Sequence, residues 1–451
     1  QITEVAGSPS FCVLPWIHLA TRPNGDMRIC CVANASGADS GDYTVGLVKM
    51  EDGQPANFAK QLPTEAFNND YMKSVRKTML KGDIPSSCVK CFKEEATGII
   101  SKRVWETIYW NSQLDINELV NNTSADGEVG AKIHYLDLRL SNLCNLKCAM
   151  CSPHDSSAWV DTWKNIQIHS SSEFVKSYAN SWTPKNTNSS GVYTWYENEQ
   201  FLSDFYSQIQ YIRQLYFAGG EPFINKAHYQ ILEKCIELGF SKDIELRYNT
   251  NITVLPKRLF KLWDSFKSVR VICSIDGYDQ VNYYVRYPAI WKDIEQNLRI
   301  LDESADHISV TLACCLNVLN IFNFDEFIKW KTMQKFKKIN IGENGLGLIN
   351  WHLVYTPSIL NICVLPIEQK EILKNKILNL QNWLLKNYSS DPSFINDMTG
   401  FAKLTNLIKY LFSNDWSNKL PDTKAFIMGM DAERGISIEN YIPEAAFLKN
   451  I

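Results

Sequence analysis

The spacing of apolar positions changes character near residue 131. From there, short apolar runs of strand length recur, separated by stretches whose apolar residues fall at helical spacing. The runs lie near Ile133–Leu140, Ile212–Phe217, Ile244–Tyr248, Val269–Ser274, Ile308–Leu316 and Ile349–Tyr355. Ala227–Leu238 and Phe324–Met333 are among the helical stretches between them. Strands alternating with helices are the mark of βα units, because parallel strands need long crossovers. Six such units predict an α/β fold, a partial (β/α)6 TIM-like barrel over residues 131–356. Ala179–Gly191, rich in Ser, Asn, Thr and Pro, interrupts the first crossover and reads as a loop insertion.

The flanks follow other patterns. Residues 1–100 are turn-rich, with Arg22-Pro-Asn-Gly25 as a turn and Phe67–Lys81 as a helix carrying Phe67, Met72, Val75, Met79 and Leu80. They are expected to form a small domain, joined to the barrel by a helical linker, 101–130, that ends in the loop Asn121–Gly127. Beyond the barrel, Ile367–Asn387 and Phe401–Phe412 predict a helical extension over 357–451, with Asp431–Gly435 and Pro443-Glu444 read as turns.

Composition narrows the function. With 45% hydrophobic and 21% charged residues, the chain has the make-up of a globular protein, not a disordered one. Its 46 Lys and Arg against 49 Asp and Glu provide no basic field for nucleic acid. No apolar stretch approaches the roughly 20 residues of a membrane-spanning helix. Gln1-Ile-Thr-Glu carries neither a positive nor an apolar leader, so a reducing cytoplasmic setting is expected. In that setting, 13 cysteines, an odd number with several at two- and three-residue spacings, suggest metal or redox chemistry over disulfides.

The central group is Cys144-Asn-Leu-Lys-Cys148-Ala-Met-Cys151, directly after the first barrel strand. It therefore occupies a loop at a strand's C-terminal end, where barrel active sites sit. Three thiolates can bind three irons of a four-iron cubane and leave the fourth open; with His154 they could instead complete a zinc site. The next strand runs into Gly219-Gly220-Glu221-Pro222, where two glycines permit close backbone approach and the Glu supplies an acceptor.

A cysteine loop followed by this second motif resembles the radical S-adenosylmethionine (SAM) superfamily. The resemblance implies that Cys144, Cys148 and Cys151 hold a [4Fe–4S] cluster whose open iron takes the amino and carboxylate groups of SAM. It implies that Gly219, Gly220, Glu221 and Pro222 contact SAM, with Glu221 on its amino group. Asn249 and Asn251 match the family's polar strand end near the ribose, while Ser274 and Asp276 match its SAM-carboxylate position. Arg286 matches an Arg gripping that carboxylate, against the plainer reading of a surface Arg; Asn320 is a further match near the fifth strand. Met150 departs from the family, which usually has an aromatic there beside the adenine.

Four more thiols, Cys12, Cys30, Cys88 and Cys91, could saturate a second cubane or a single zinc, with Cys31 an alternative to Cys30. Their pattern resembles the auxiliary modules called twitch and SPASM, which usually follow the barrel, whereas these residues precede it. A structural zinc ribbon is the alternative.

The resemblance implies a one-electron reductant such as a flavodoxin or ferredoxin, cleavage of SAM to a 5′-deoxyadenosyl radical, and a peptide substrate. Trp159, Trp163, Trp182, Trp195 and Trp351 would line a groove or fill the core. The leading expectation is L-to-D epimerisation in a ribosomally made peptide, with Cys363, beyond the sixth strand, as hydrogen donor. Oxidative modification or crosslinking of a peptide, dehydrogenation of a sugar or aminocyclitol alcohol, and a non-enzymatic zinc-binding interaction protein are the alternatives. Cys235, Cys273, Cys314 and Cys315 read as core.

Overall fold

The computed structural model describes residues 7–33, 46–96, 100–339, 349–389 and 398–450. Its strands are β1 (His18–Thr21), β2 (Met27–Arg28), β3 (Tyr135–Leu138), β4 (Lys147–Cys148), β5 (Gln214–Phe217), β6 (Glu245–Thr250), β7 (Ser268–Ser274), β8 (Arg286–Tyr287), β9 (Ile308–Leu316) and β10 (Asn350–Leu353). Eight form a mainly parallel sheet in the order β10-β9-β7-β6-β5-β3-β1-β2, flanked by helices, and β4 pairs with β8 apart from it. The fold is α/β, and all six expected strands are in the sheet. β1 and β2 were not expected: the N-terminal segment adds β1 parallel to β3, and β2 returns antiparallel to β1.

The chain divides into two compact units. The first comprises Gln1–Leu143, Asn186–Arg247 and Phe260–Lys267. Within it, the helix Asp70–Leu80 starts at Asn69, whose side chain accepts from the Met72 N–H, and it buries Met72, Val75 and Met79. On the same helix Arg76 is fully buried and donates to Pro15 O at 2.8 Å, Asn68 Oδ1 at 2.9 Å and Gly127 O at 3.0 Å. A guanidinium satisfied by fixed acceptors offsets its own desolvation and ties three stretches of chain together. Gly127 is required there: φ is +93°, and a Cβ would stand 2.4 Å from the Lys73 carbonyl oxygen. The expected linker contains the helices Lys102–Asn111 and Ile116–Asn121.

The second unit comprises Cys144–Lys185, Tyr248–Leu259 and Ser268–Ile451. β9 alternates buried with more accessible positions, as a half-covered strand should. The long helix Ile367–Tyr388 matches the expected periodicity. Asp431–Gly435 is not a turn: it closes the helix Leu420–Arg434, which has Pro421 in its first turn and stops at Gly435, φ +65°. Among the described residues, no helix is long and apolar enough to cross a membrane.

Candidate active site

In the second unit the cysteine loop is pinned by its backbone. The β4–β8 pairing places Cys148 opposite Arg286 and Lys147 opposite Tyr287. Ala149 N–H donates to Val285 O at 2.8 Å, Cys151 N–H to Cys148 O at 3.1 Å, and Trp159 Nε1–H to Cys148 O at 3.1 Å. Cys148 is buried, while Cys144 and Cys151 remain partly accessible. A hydrogen bond from Cys151 lowers the Cys148 thiol pKa, aided by the charges of Arg286 and Arg434 and opposed by burial.

Polar groups from three strand ends converge on this loop. Asn251, just past β6, approaches Cys144 Sγ to 4.0 Å and donates to Asn145 Oδ1 at 2.9 Å. Arg286 brings Nη1 within 3.9 Å of Cys148 Sγ and Nε within 2.7 Å of Asp276 Oδ2. The latter is a charge contact without linear hydrogen-bond alignment: Nε and Oδ2 are both left with no hydrogen-bond partner. Asp276, just past β7, is fixed by the Cys315 N–H on Oδ1 at 2.7 Å and by Asn320 on its carbonyl at 2.9 Å. Arg286 is 9% exposed, so it is no surface residue. Ser274, at the end of β7, is half-buried, and buried Asn249 Oδ1 has no hydrogen-bond partner.

Sequence reasoning missed Arg434, the last residue of the helix Leu420–Arg434. Its guanidinium donates to Tyr284 O at 2.8 Å and to Lys147 O, and lies 5.2 to 5.5 Å from the rings of Trp159, Tyr284 and Tyr287. It thereby braces both strands of the β4–β8 pair. A basic residue immediately before a helix-ending glycine was the available signal.

In the first unit, β5 runs into Gly219 and Gly220, both at positive φ. A Cβ on Gly220 would stand 2.3 Å from the Leu143 carbonyl oxygen, which also accepts from the Glu221 N–H at 2.8 Å. Glu221 is 1% exposed, and its Oε1 accepts from Phe223 N–H at 3.1 Å, capping the short turn that begins at Pro222.

Also in the first unit, Cys12, Cys30, Cys88 and Cys91 open onto one cavity lined by Leu14, Ile29, Val32 and Met79 and by Lys90, Lys102 and Arg103. Burial and then the neighbouring thiols of Cys30, Cys88 and Cys91 raise the Cys12 pKa well above its usual range. Cys30 is pushed up to about 12 and Cys88 to about 11, burial being the main cause in each. Lys102 and Arg103 only partly offset that burial, so these thiols become thiolates beside a further cation, and a set this spread fits the several irons of an iron–sulfur cluster. Cys31 is not in the lining; Cys30 is.

The remaining expectations occupy other places. Cys363 is fully buried, with Sγ 3.6 Å from the Tyr410 carbonyl oxygen. Trp159, Trp163, Trp182, Trp195 and Trp351 are all at most 8% exposed, so they belong to the core and line no open groove. Among the described residues, no three Cys, His, Asp or Glu side chains gather into a site for a single metal ion, the triplet with His154 included.

Residues 138–330 match the model of the radical SAM superfamily. Solved structures similar to the chain include native anSMEcpe with bound AdoMet, at 15% identity and a TM-score of 0.36, covering 57% of this chain and 62% of that one. Streptococcus suis SuiB bound to S-adenosylmethionine is 11% identical, with a TM-score of 0.28, over 76% of this chain and 67% of that one. The TYW1 structure with a lysine-pyruvate adduct is 12% identical, with a TM-score of 0.25, over 56% and 71%. The chain thus spans 62% of the length of the first of these. No curated protein matches it.

Proposed function

We propose that the radical SAM domain at residues 138–330 belongs to an enzyme that abstracts hydrogen from a peptide substrate. The observation that carries this reading is Arg286, which stands between a triplet thiol, Cys148 Sγ at 3.9 Å, and a carboxylate, Asp276 Oδ2 at 2.7 Å. A guanidinium there is positioned to grip a carboxylate lying against metal bound by the triplet. When bound, a [4Fe–4S] cluster on Cys144, Cys148 and Cys151 together with SAM supplies the 5′-deoxyadenosyl radical. The rest is the work of the chain. Asp276 aims the guanidinium through its 2.7 Å ion pair, and Asn251 and Asn249 present amides from the end of β6. Gly220 keeps the backbone after β5 low, and buried Glu221 is an acceptor for an ammonium group.

The reaction carried forward is L-to-D epimerisation, which requires a thiol to return hydrogen to the substrate carbon. Cys315 suits this role better than Cys363. It is half-buried and lies in the field of Cys148, Arg286 and Asp276, whereas Cys363 is enclosed beside Tyr410. In the same proposal Cys12, Cys30, Cys88 and Cys91 hold an auxiliary [4Fe–4S] cluster, and a flavodoxin or ferredoxin supplies the electron.

The test is the iron, sulfide and zinc content of anaerobically prepared protein, beside the variant with Cys144, Cys148 and Cys151 all changed to Ala. About eight irons falling to about four, with release of 5′-deoxyadenosine lost, is the expected outcome. Zinc in place of iron, or iron indifferent to the triple change, sinks the reading. In the epimerase arm, Cys315→Ala should still cleave SAM but no longer place solvent deuterium in the product, and Cys363→Ala should do both.

A further inference from the structure

One face of the sheet in the first unit carries charge where a core is expected. The register places Arg28 opposite Ala20, Ala20 opposite Asp137 and Asp137 opposite Tyr216, so these four side chains form one row across β2, β1, β3 and β5. The other face of the same strands is ordinary core: Leu19, Leu136, Leu138, Leu215 and Phe217. Within the charged row Ala20 contributes only a methyl group between Arg28 and Asp137.

The hydrogen-bonding groups in this row are not all matched within it. Asp137 is fully buried, and neither of its carboxylate oxygens has a hydrogen-bond donor. Its closest cation contact is Arg139 Nε at 3.8 Å, too long for a hydrogen bond, and it also feels the charges of Lys102, Arg247 and Arg28. Lys102 is engaged by Glu106 at 2.6 Å. The buried carboxylates of Asp137 and Glu106, the latter also in the field of Arg247, thus stand among Arg28, Arg247 and Lys102 in a dry setting. Arg247 lies over the Tyr216 ring at 4.7 Å, and its Nε has no partner; neither has that of Arg28, whose Nη2 donates to Ala33 O at 2.7 Å. Buried polar groups left unmatched cost free energy, and proteins keep them where a ligand completes the set.

We propose that this row is a binding site for a carboxylate side chain of the substrate peptide, gripped by Arg247 and Arg28, with Asp137 accepting a peptide N–H beside it. The inference names the substrate chemistry of the proposed enzyme and in that sense rests on that reading. A fork of guanidinium donors matches a carboxylate bidentately, and Tyr216 holds the Arg247 plane.

The experiment is calorimetric titration of the SAM-loaded holoenzyme with acetyl-Ala-Glu-Ala-amide and with acetyl-Ala-Gln-Ala-amide, at physiological salt so that distant charges are screened. The Glu peptide is expected to bind about tenfold tighter or more, the scale of a charge-assisted bidentate contact. Arg247→Gln should erase the preference, and Arg247→Lys, which keeps the charge without the fork, should retain part of it. Equal affinity of the two peptides for the wild-type protein overturns the proposal without relying on any variant. So does a Glu preference that survives both Arg247→Gln and Arg28→Gln. The heat of binding does not depend on SAM cleavage, so a wild-type protein that prefers the Glu peptide yet never cleaves SAM would sink the radical reading alone.

Discussion

The two thiol sets are built from the same residue in opposite surroundings. In the first unit four thiols face a cavity whose walls are mostly apolar, and burial holds the proton on each of them more strongly than Lys102 and Arg103 draw it off. In the second unit three thiols share a loop with Arg286, Asp276 and Asn251, and within the hydrogen-bonded pair Cys148 is drawn toward its thiolate while Cys151 keeps its proton. Four donors in an apolar wall can satisfy a cluster completely, leaving it to structure or to electron transfer. Three donors beside a guanidinium and a carboxylate leave one metal position open, with polar groups ready for whatever binds there. Reactivity on this reading follows from the missing fourth thiol and the charged groups around the loop.

The comparison can be tested at several strengths. The largest effect belongs to the triplet: with Cys144, Cys148 and Cys151 as Ala, SAM cleavage should fall to background in a folded protein, measured as 5′-deoxyadenosine. Next, Arg286→Gln should raise the KM for SAM by roughly 10- to 100-fold, the scale of a lost charge-assisted bidentate contact, with iron content unchanged. If iron is lost too, Arg286 holds up the loop and grips no ligand.

The third test uses pH. Thiols pushed up to about 11 and 12, as at Cys88 and Cys30, gain thiolate about tenfold per unit as pH rises from 7 to 9. Reconstituting metal-free protein with iron and sulfide should therefore fill the first-unit set more completely at pH 9 than at pH 7, followed by absorbance in the triple variant, which keeps only that set. The smallest effect is expected from Cys88→Ala with Cys91→Ala. SAM cleavage without peptide should stay within a few-fold of wild type while about four irons are lost. Cleavage at background in a protein that remains folded would show that the two sets work as one.

Much of the fold was legible because its strands are apolar runs between turn signals. β7 and β9 lie within a residue of their expected bounds. β1 escaped because His18-Leu-Ala-Thr21 is four residues long, buried throughout and shows no alternation. The helix Leu420–Arg434 escaped because it carries Gly429 and buries Thr423, Asp431 and Arg434 along with its apolar residues, so no single stripe marks it. In the site, the spacing of Cys144, Cys148 and Cys151 and the pair Gly219-Gly220 were visible as motifs because chemistry fixes their separation along the chain. The charged row of Arg28 and Asp137, with Arg247 of β6 over Tyr216, was not, since it exists only once β2, β1, β3 and β5 are in register.

The Arg434 clamp also sets an order of events in biosynthesis. Arg434 holds the Lys147 carbonyl across 287 residues of sequence. At about 5–20 residues per second of synthesis, the cysteine loop leaves the ribosome roughly 15–60 s before its clamp does. Throughout that interval Cys144, Cys148 and Cys151 are open to oxidation and to wrong metals on a loop that lacks its Arg434 brace. Secure iron loading at the triplet therefore waits until residue 434 has emerged, and a nascent chain arrested before it should take up the triplet's iron poorly even under anaerobic conditions.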